Sequence, residues 1–471
     1  MTGNTTRSIT GRRAVLVLCC CAFAACAARP PAAPLDAAAT EHSFAARRLE
    51  APTSPEGAWT RAQWLRAALR LNPELTEARA RATATAAASR TAGERPNPTL
   101  SLYDQYVTAA AGGTAWLYGL SLEFLLQRPG ERARAQRDAN LQTLAAQADV
   151  AEAIWQLRSD LRGALLDVAA ARDELALLND LLAARQTLLS SIRAQAQAGE
   201  RAMSELQPAL QALAATQQRL VEAQARGGDA RARLAAAVGV PLAALDGVAL
   251  EWPGWSDLKG HALSFDATLR EQALIARPEL VRALREYDLA ENTLQRAFAH
   301  RWPEFRLSPG VAWDRSGVHD NQMNENLRDN ELGVAMELPL FNRHQGPIGE
   351  AWARRTLAAA HIETVQSHLR EQLDRAERAW PLAHEGWLQA VYAAAAAGRQ
   401  MQAAQRALNA GDADRATLLL AQTGALEAQL SALQSAYDAQ QSFAALEAAY
   451  RRPLEGPECD LPLTWRSEPG G

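Results

Sequence analysis

The chain has 471 residues and a formal net charge of −4, with 49 Lys and Arg against 53 Asp and Glu. A charge balance this even offers no basic surface for nucleic acid, so nucleic-acid binding is excluded. Apolar residues make up 48% of the sequence but aromatic residues only 6%, so most of the apolar content is Ala and Leu. That composition favours closely packed helices over a bulky globular core.

The first 25 residues have the pattern of a secretory signal peptide. Arg7, Arg12 and Arg13 form a basic segment, and the apolar run from Ala14 to Ala25 is too short to span a bilayer. Small residues precede Cys26, as in a bacterial lipobox, so we expect cleavage before Cys26 and its acylation by palmitate. An ordinary signal peptide cut after one of the alanines is the alternative.

Residues 26–58 combine Ala, Pro and charge without a period, and they are predicted to be a lipid anchor and an extended tether. If Cys26 is acylated, Cys459 has no cysteine to pair with in the mature chain. An exported protein without a disulfide must be stabilised by packing and assembly.

The longest pattern is a heptad seam that predicts a coiled-coil rod from about residue 130. No Pro and one Gly fall between Glu131 and Ala198, so we expect one helix of about 100 Å. The chain then turns at Gly199 and returns as a helix to about Val238. The seam of the rod is Val150, Ile154, Leu157, Leu161, Ala164, Val168, Ala171, Leu175, Leu178, Leu182, Arg185, Leu189 and Ile192, and that of the returning helix is Leu206, Leu210, Leu213, Gln217 and Leu220.

Four short segments alternate between apolar and polar residues, as half-exposed strands do. They lie at about 99–107, 114–126, 304–314 and 331–340. Trp116, Tyr118 and Trp313 are placed where aromatic residues favour a membrane interface. The strands therefore suit a membrane barrel, with a soluble four-stranded sheet on a helix layer as the alternative.

The whole pattern occurs twice. Pro73 and Pro278 are 205 positions apart, and a second helical hairpin over 348–450 turns at Gly411 as the first, over 130–238, turns at Gly199. Pro381 predicts a bend in the second rod. We divide the chain into a first repeat at 59–245, a connector at 246–265, a second repeat at 266–452 and a tail at 453–471.

Four strands are too few to close a barrel, and an open sheet edge in lipid leaves backbone groups unpaired. Three copies of the chain would supply 12 strands. The predicted fold class is therefore mainly α, with long coiled-coil hairpins and a small membrane β-barrel that other copies of the chain complete.

Three segments resemble the outer-membrane efflux protein family, the TolC-like channels. They are Asn72-Pro73-Glu74-Leu75, Arg277-Pro278-Glu279-Leu280 and Leu338-Pro339-Leu340-Phe341-Asn342-Arg343-His344-Gln345-Gly346. The third segment is similar to a strand-to-helix junction frequent in the heavy-metal branch of the family. The resemblance implies a homotrimer with a 12-stranded β-barrel in the outer membrane and an α-helical tunnel that extends into the periplasm. It also implies a periplasmic adaptor protein and an inner-membrane RND-type transporter as partners.

Family members often carry acids about two turns beyond the Gly of each hairpin tip, where they gate the channel. Glu205 fits this position after Gly199, but Thr417 stands there after Gly411. Asp412 and Asp414 are candidates to replace the missing acid. Solvated turn residues, or charges favoured by a helix N-terminus, are the alternative for all three acids.

The sequence carries no enzyme motif and predicts no cofactor. His361 and His368 are seven residues apart, too far to share a metal ion, and His300, His319 and His344 lack partners in sequence. We expect a passive channel for metal cations or small toxic compounds. The alternatives are the exit duct of a type I protein secretion system and a structural periplasmic coiled-coil lipoprotein without a pore.

Overall fold

The computed structural model describes residues 33–50, 58–106, 116–259, 266–314 and 327–456. The predicted signal peptide (1–25), Cys26, His319 and Cys459 lie outside these ranges. No helix within them is both long and apolar enough to cross a membrane.

A short unit ending at Arg48 contains helix α1, Ala37–Ala45, inside the stretch predicted to be extended. Asp36 caps this helix, because its carboxylate accepts hydrogen bonds from the amides of Ala38 and Ala39 at 3.3 Å. The prediction of a wholly extended tether is therefore wrong. Helix α1 buries no side chain, so no apolar period marked it in the sequence.

The rest of the described chain forms a second unit of long helices and short strands. Its helices are α2 (Arg61–Leu71), α3 (Pro73–Thr91), α4 (Glu131–Gln197), α5 (Leu206–Val238), α6 (Ala267–Ile275), α7 (Pro278–Ala299), α8 (Gln345–Ala410) and α9 (Arg415–Tyr450). Its strands are β1 (Ala58–Thr60), β2 (Thr99–Tyr106), β3 (Trp116–Leu126), β4 (Ala249–Glu251), β5 (Phe305–Asp314) and β6 (Leu327–Met336).

The two longest helices, α4 with 67 residues and α8 with 66, run the length of the unit. Towards the sheet the packing order is α3, α4, α7, α8, and towards the hairpin tips it is α5, α4, α9, α8. Each repeat thus supplies one continuous rod and two shorter helices that succeed each other beside it. Pro381 lies inside α8, which stays helical on both sides of it.

The paired Pro-Glu-Leu segments begin α3 and α7, with Pro73 and Pro278 at the first helical position. The residue before each Pro differs in role. Asn72 caps α3 by accepting the amide of Leu75 at 3.0 Å, whereas the guanidinium of Arg277 donates to the carbonyls of Ala448 and Ala449.

The predicted seam of α4 is confirmed as a buried or half-buried line, and that of α5 is confirmed in part. Leu206, Leu213 and Leu220 are half-buried, but Leu210 is 38% exposed and Gln217 is also exposed. At those two places the neighbouring Ala209 and Thr216 face inward instead, and the line continues through Ala223 and Ala230. Small residues on this line let α5 approach α4 closely.

The largest hydrophobic core surrounds the middle of α4, from Val150 to Ala169, where the neighbouring helix changes from α3 to α5. We call this region the waist of the unit. The described part of the connector at 246–265 belongs to this core. Strand β4 pairs in parallel with β1, and the side chains of Trp252, Trp255 and Leu258 are buried.

A buried ion cluster joins the two repeats at the waist. Glu447 of α9 is 0% exposed and lies 3.1 Å from the Arg158 Nη2 and the Arg162 Nε of α4. Its carboxylate also accepts the amide of Leu454 at 2.6 Å, and Arg162 donates to the Gln440 side chain at 2.9 Å. The charges satisfy one another, which a buried ion cluster requires.

Removal of Glu447 should therefore destabilise the protein far more than removal of a surface acid. We expect Glu447→Ala to lower the free energy of unfolding by about 3–5 kcal/mol, because it removes the fully buried carboxylate that lies 3.1 Å from two buried guanidinium groups. Glu350→Ala, which breaks an exposed pair with Arg354 in α8, should cost less than about 1 kcal/mol. Denaturant titration followed by circular dichroism measures both, and equal losses would contradict this account.

Strands β2, β3, β5 and β6 form one antiparallel sheet in that order. Strand β6 begins and ends four residues before the strand that the sequence predicted at 331–340. Its pairing with β5 runs from Leu327 opposite Asp314 to Met336 opposite Phe305. Leu338 and Leu340 continue the alternation beyond the end of the partner strand, and Pro339 between them has no amide hydrogen to pair.

Candidate functional site: an open-edged sheet and two hairpin tips

The sheet has two open edges. Within the described residues β2 and β6 each pair with one neighbour only, β3 and β5 respectively. The outer sides of β2 and β6 therefore carry backbone donors and acceptors that pair with no other strand of the described ranges.

One face of the sheet is an apolar belt, interrupted by Asn330 of β6, which lies opposite Val311. The register places Leu102 beside Leu120 and Val311, and Leu126 beside Phe305 and Met336. These side chains do not fold into the chain's own interior, since Leu102 is 65% and Leu332 69% exposed. The belt comprises Leu100, Leu102, Leu120, Leu122, Phe124, Leu126, Phe305, Leu307, Val311, Leu332, Val334 and Met336.

The belt ends in a mixed row near the loop end of the sheet. Asp104, Tyr118, Trp313 and Arg328 lie side by side across the four strands. Aromatic and charged side chains in one row are typical of a membrane–water boundary. Trp116, the other predicted boundary aromatic, pairs with Tyr106 one step further on.

The opposite face of the sheet is polar. It carries Ser101, Tyr103, Glu123, Ser308 and Glu331, with Arg306 3.7 Å from Glu123. A sheet with one apolar and one polar face separates lipid from water when it closes on itself.

The hairpin tips end α4 and α8 in the same way. Gly199 and Gly411 adopt φ of 78° and 83°, a left-handed conformation that favours glycine. The amide of the residue after each Gly donates a hydrogen bond to the carbonyl five residues before it. These bonds join Glu200 to Gln195 and Asp412 to Ala407, each at 2.9 Å. Both predicted tip glycines are thus Schellman caps that reverse the chain.

Arg201 brings two of the three candidate acids together. It donates to Glu205 at 2.8 Å and lies 3.6 Å from the Asp414 Oδ2 of the other tip. Gln195 of α4 also donates to Asp414, at 3.1 Å. The tips of the two hairpins are therefore tied to each other by polar contacts.

Asp414 caps α9 and explains why Thr417 stands where an acid was expected. The Thr417 hydroxyl donates to the Asp414 Oδ1 at 2.6 Å and its amide at 2.8 Å. The Thr417 bonds, with that from Gln195, hold the pKa of Asp414 at about 2. The carboxylate therefore stays charged throughout the physiological range.

Asp412 stands apart from this group. Its side chain is exposed on the turn and forms no ion pair within the described ranges. Sequence reasoning missed Arg201 and Gln195, although a basic residue two positions after the tip glycine was a usable signal.

The histidines of the described ranges do not form a metal centre. The described residues contain no group of three or more His, Cys, Asp or Glu side chains able to hold a metal ion, and His361 and His368 are both exposed. The rings of His300 and His344 lie 5.8 Å apart, a proximity that the sequence did not indicate. Burial, and then the charge of Arg128, lowers the pKa of His300, which favours its neutral ring.

The sequence matches the outer membrane efflux protein family over residues 64–240 and 269–450, and the chain belongs to that family. The match is in two blocks, one for each repeat. No curated protein sequence matches the chain.

Solved structures of outer-membrane channels share the fold. The open-state MtrE channel of Neisseria gonorrhoeae has a TM-score of 0.68 at 17% identity, over 83% of this chain and 88% of that one. VceC of Vibrio cholerae gives 0.65 at 18% identity, over 83% and 95%. CmeC of Campylobacter jejuni gives 0.65 at 15% identity, over 90% and 93%. The TolC-like resemblance is thereby confirmed.

Proposed function

We propose that three copies of this chain form a passive duct through the outer membrane, with a 12-stranded barrel and a helical tunnel in the periplasm. One observation carries the proposal: the four-stranded sheet has an apolar outward belt and two unpaired edges. In hydrocarbon each unpaired backbone group costs several kcal/mol, so the edges must pair with those of other copies. The two repeats, 59–245 and 266–452, each supply half of the strands.

The flanking helices support the same assembly. At the tip half of the layer α5 and α8 are the outermost of the described long helices, with α5 packed on α4 and α8 packed on α9. Both expose large apolar side chains there, namely Val221 of α5 and Leu382 and Tyr392 of α8. Neighbouring copies would cover these side chains while their sheets pair edge to edge.

Membership of the outer membrane efflux protein family supports the proposed partners and cargo. The duct would receive metal cations or small toxic compounds from an RND-type inner-membrane transporter through a periplasmic adaptor. Cys26, acylated, would hold the amino end at the inner surface of the outer membrane. The duct needs no catalytic residue and no cofactor.

The hairpin tips are the proposed gate. Arg201, bound to Glu205 and Asp414, holds the two tips of one copy together. Separation of the hairpins would break these contacts and leave acidic groups along the opening. Asp412, which has no such partner, remains available to the adaptor.

The lipid-facing belt can be tested by arginine substitutions at adjacent residues. Leu102→Arg places a charge on the apolar face, at a cost of up to about 2–4 kcal/mol in the bilayer. Ser101→Arg, the matched control, places it on the polar face. We expect the first variant alone to reduce the folded oligomer in outer-membrane fractions. Equal yields of the two variants would contradict a lipid-facing belt.

The transport role can be tested in a deletion strain. Loss of the protein should increase susceptibility to metal cations or small toxic compounds, because the pump loses its exit, and the plasmid-borne gene should restore resistance. Growth assays over graded concentrations measure this. Unchanged susceptibility would refute the efflux role, and simultaneous loss of a secreted protein would indicate the secretion duct instead.

The gate can be tested by conductance in planar bilayers. Glu205→Ala and Asp414→Ala should each raise the conductance, because Arg201 loses an acceptor that ties the tips. Asp412→Ala, the control, should leave the closed state intact. The triple variant should also lose cation preference. Unchanged conductance and selectivity in the triple variant would refute the gate.

A further inference from the structure

Tyr103 lies flat on the polar face of the sheet. Its ring covers Gly119, the residue directly opposite on β3, and a Cβ atom at position 119 would overlap the ring. Gly119 and its own partner on β5, Ala312, are the only buried residues in the four strands where the side chains are described. The Tyr103 ring accounts for this burial on a face that is otherwise open.

The hydroxyl of Tyr103 is fixed at the far side of the sheet. It donates to both carboxylate oxygens of Glu331, at 3.2 Å each. Tyr103 stands on edge strand β2 and Glu331 on edge strand β6, three strand spacings or about 14 Å apart. The Tyr103–Glu331 bridge thus crosses the full width of the sheet, over the small residues Gly119, Ala312 and Gly310.

We propose that Gly119 sets the size limit of the lumen at this level, because it lets Tyr103 lie against the wall. The inference rests on the proposed barrel, in which three copies of the bridge form one ring on the water-filled side. A side chain at position 119 would force each Tyr103 ring away from the sheet and into the lumen. Narrowing by three rings at one level would exclude large solutes and leave small ones unaffected.

A cysteine below the ring can report its width. Thr99 lies on the same face as Tyr103, four residues or about 13 Å further from the loop end. Thr99→Cys would be labelled in intact cells by two membrane-impermeant maleimides, one small and one coupled to bulky polyethylene glycol. The native chain, with its own cysteines, gives the background.

When Gly119→Ala is added to Thr99→Cys, labelling of the cysteine by the bulky reagent should slow by roughly threefold or more, and labelling by the small reagent should keep its rate. Further addition of Tyr103→Ala should restore or exceed the original rate. Gly333→Ala is the matched control, because a Cβ atom there meets the Ser308 Cβ at an ordinary 3.4 Å.

Equal bulky-reagent rates in Gly119→Ala and Gly333→Ala would overturn the inference. If Gly119→Ala fails to assemble, Tyr103→Ala alone decides: the bulky reagent should react faster with Thr99→Cys, and an unchanged rate overturns the inference. The proposed pore itself would be refuted if neither reagent labelled Thr99→Cys, even in an assembled Tyr103→Ala variant.

Discussion

The unpaired backbone at the two sheet edges is the constraint on which the rest of the structure depends. Within the described residues, β2 and β6 each leave a row of backbone donors and acceptors that pair with no further strand. Water could satisfy them, but the apolar belt beside them favours lipid, where water is absent. In the proposed assembly a closed ring of strands meets both demands. The long helices would then continue that ring away from the membrane.

Polar contacts join the two repeats at the junction between the sheet and the long helices. Arg128, just after β3, donates to the Trp302 carbonyl at 2.8 Å and lies 3.3 Å from Glu304, just before β5. The two repeats are thus joined where the strands become helices. They are joined again at the waist by Glu447 with Arg158 and Arg162, and at the tips by Arg201. Three polar contacts along the rods keep the hairpins of one copy in register.

Periodicity and alternation in the sequence predicted the rods, the strand pairs and the duplication, because each buries one face at a fixed spacing. Two positions in the seam of α5 were missed because the small residues Ala209 and Thr216, and not Leu210 and Gln217, face inward there. The end of β6 was missed because pairing stops with the partner strand, although the alternation continues to Leu340. The contact of Arg201 with Asp414 was missed because the two residues are 213 positions apart, which no local pattern specifies.

The number of copies in the membrane tests the central claim most directly. Protein extracted from outer membranes in a mild detergent should show, by native mass spectrometry, a complex of three chains. The two open edges of the four-stranded sheet in each copy would then pair with the sheet edges of the neighbouring copies. A monomer that keeps its strand content in the membrane would contradict the account, because its two open edges would have to be tolerated in lipid.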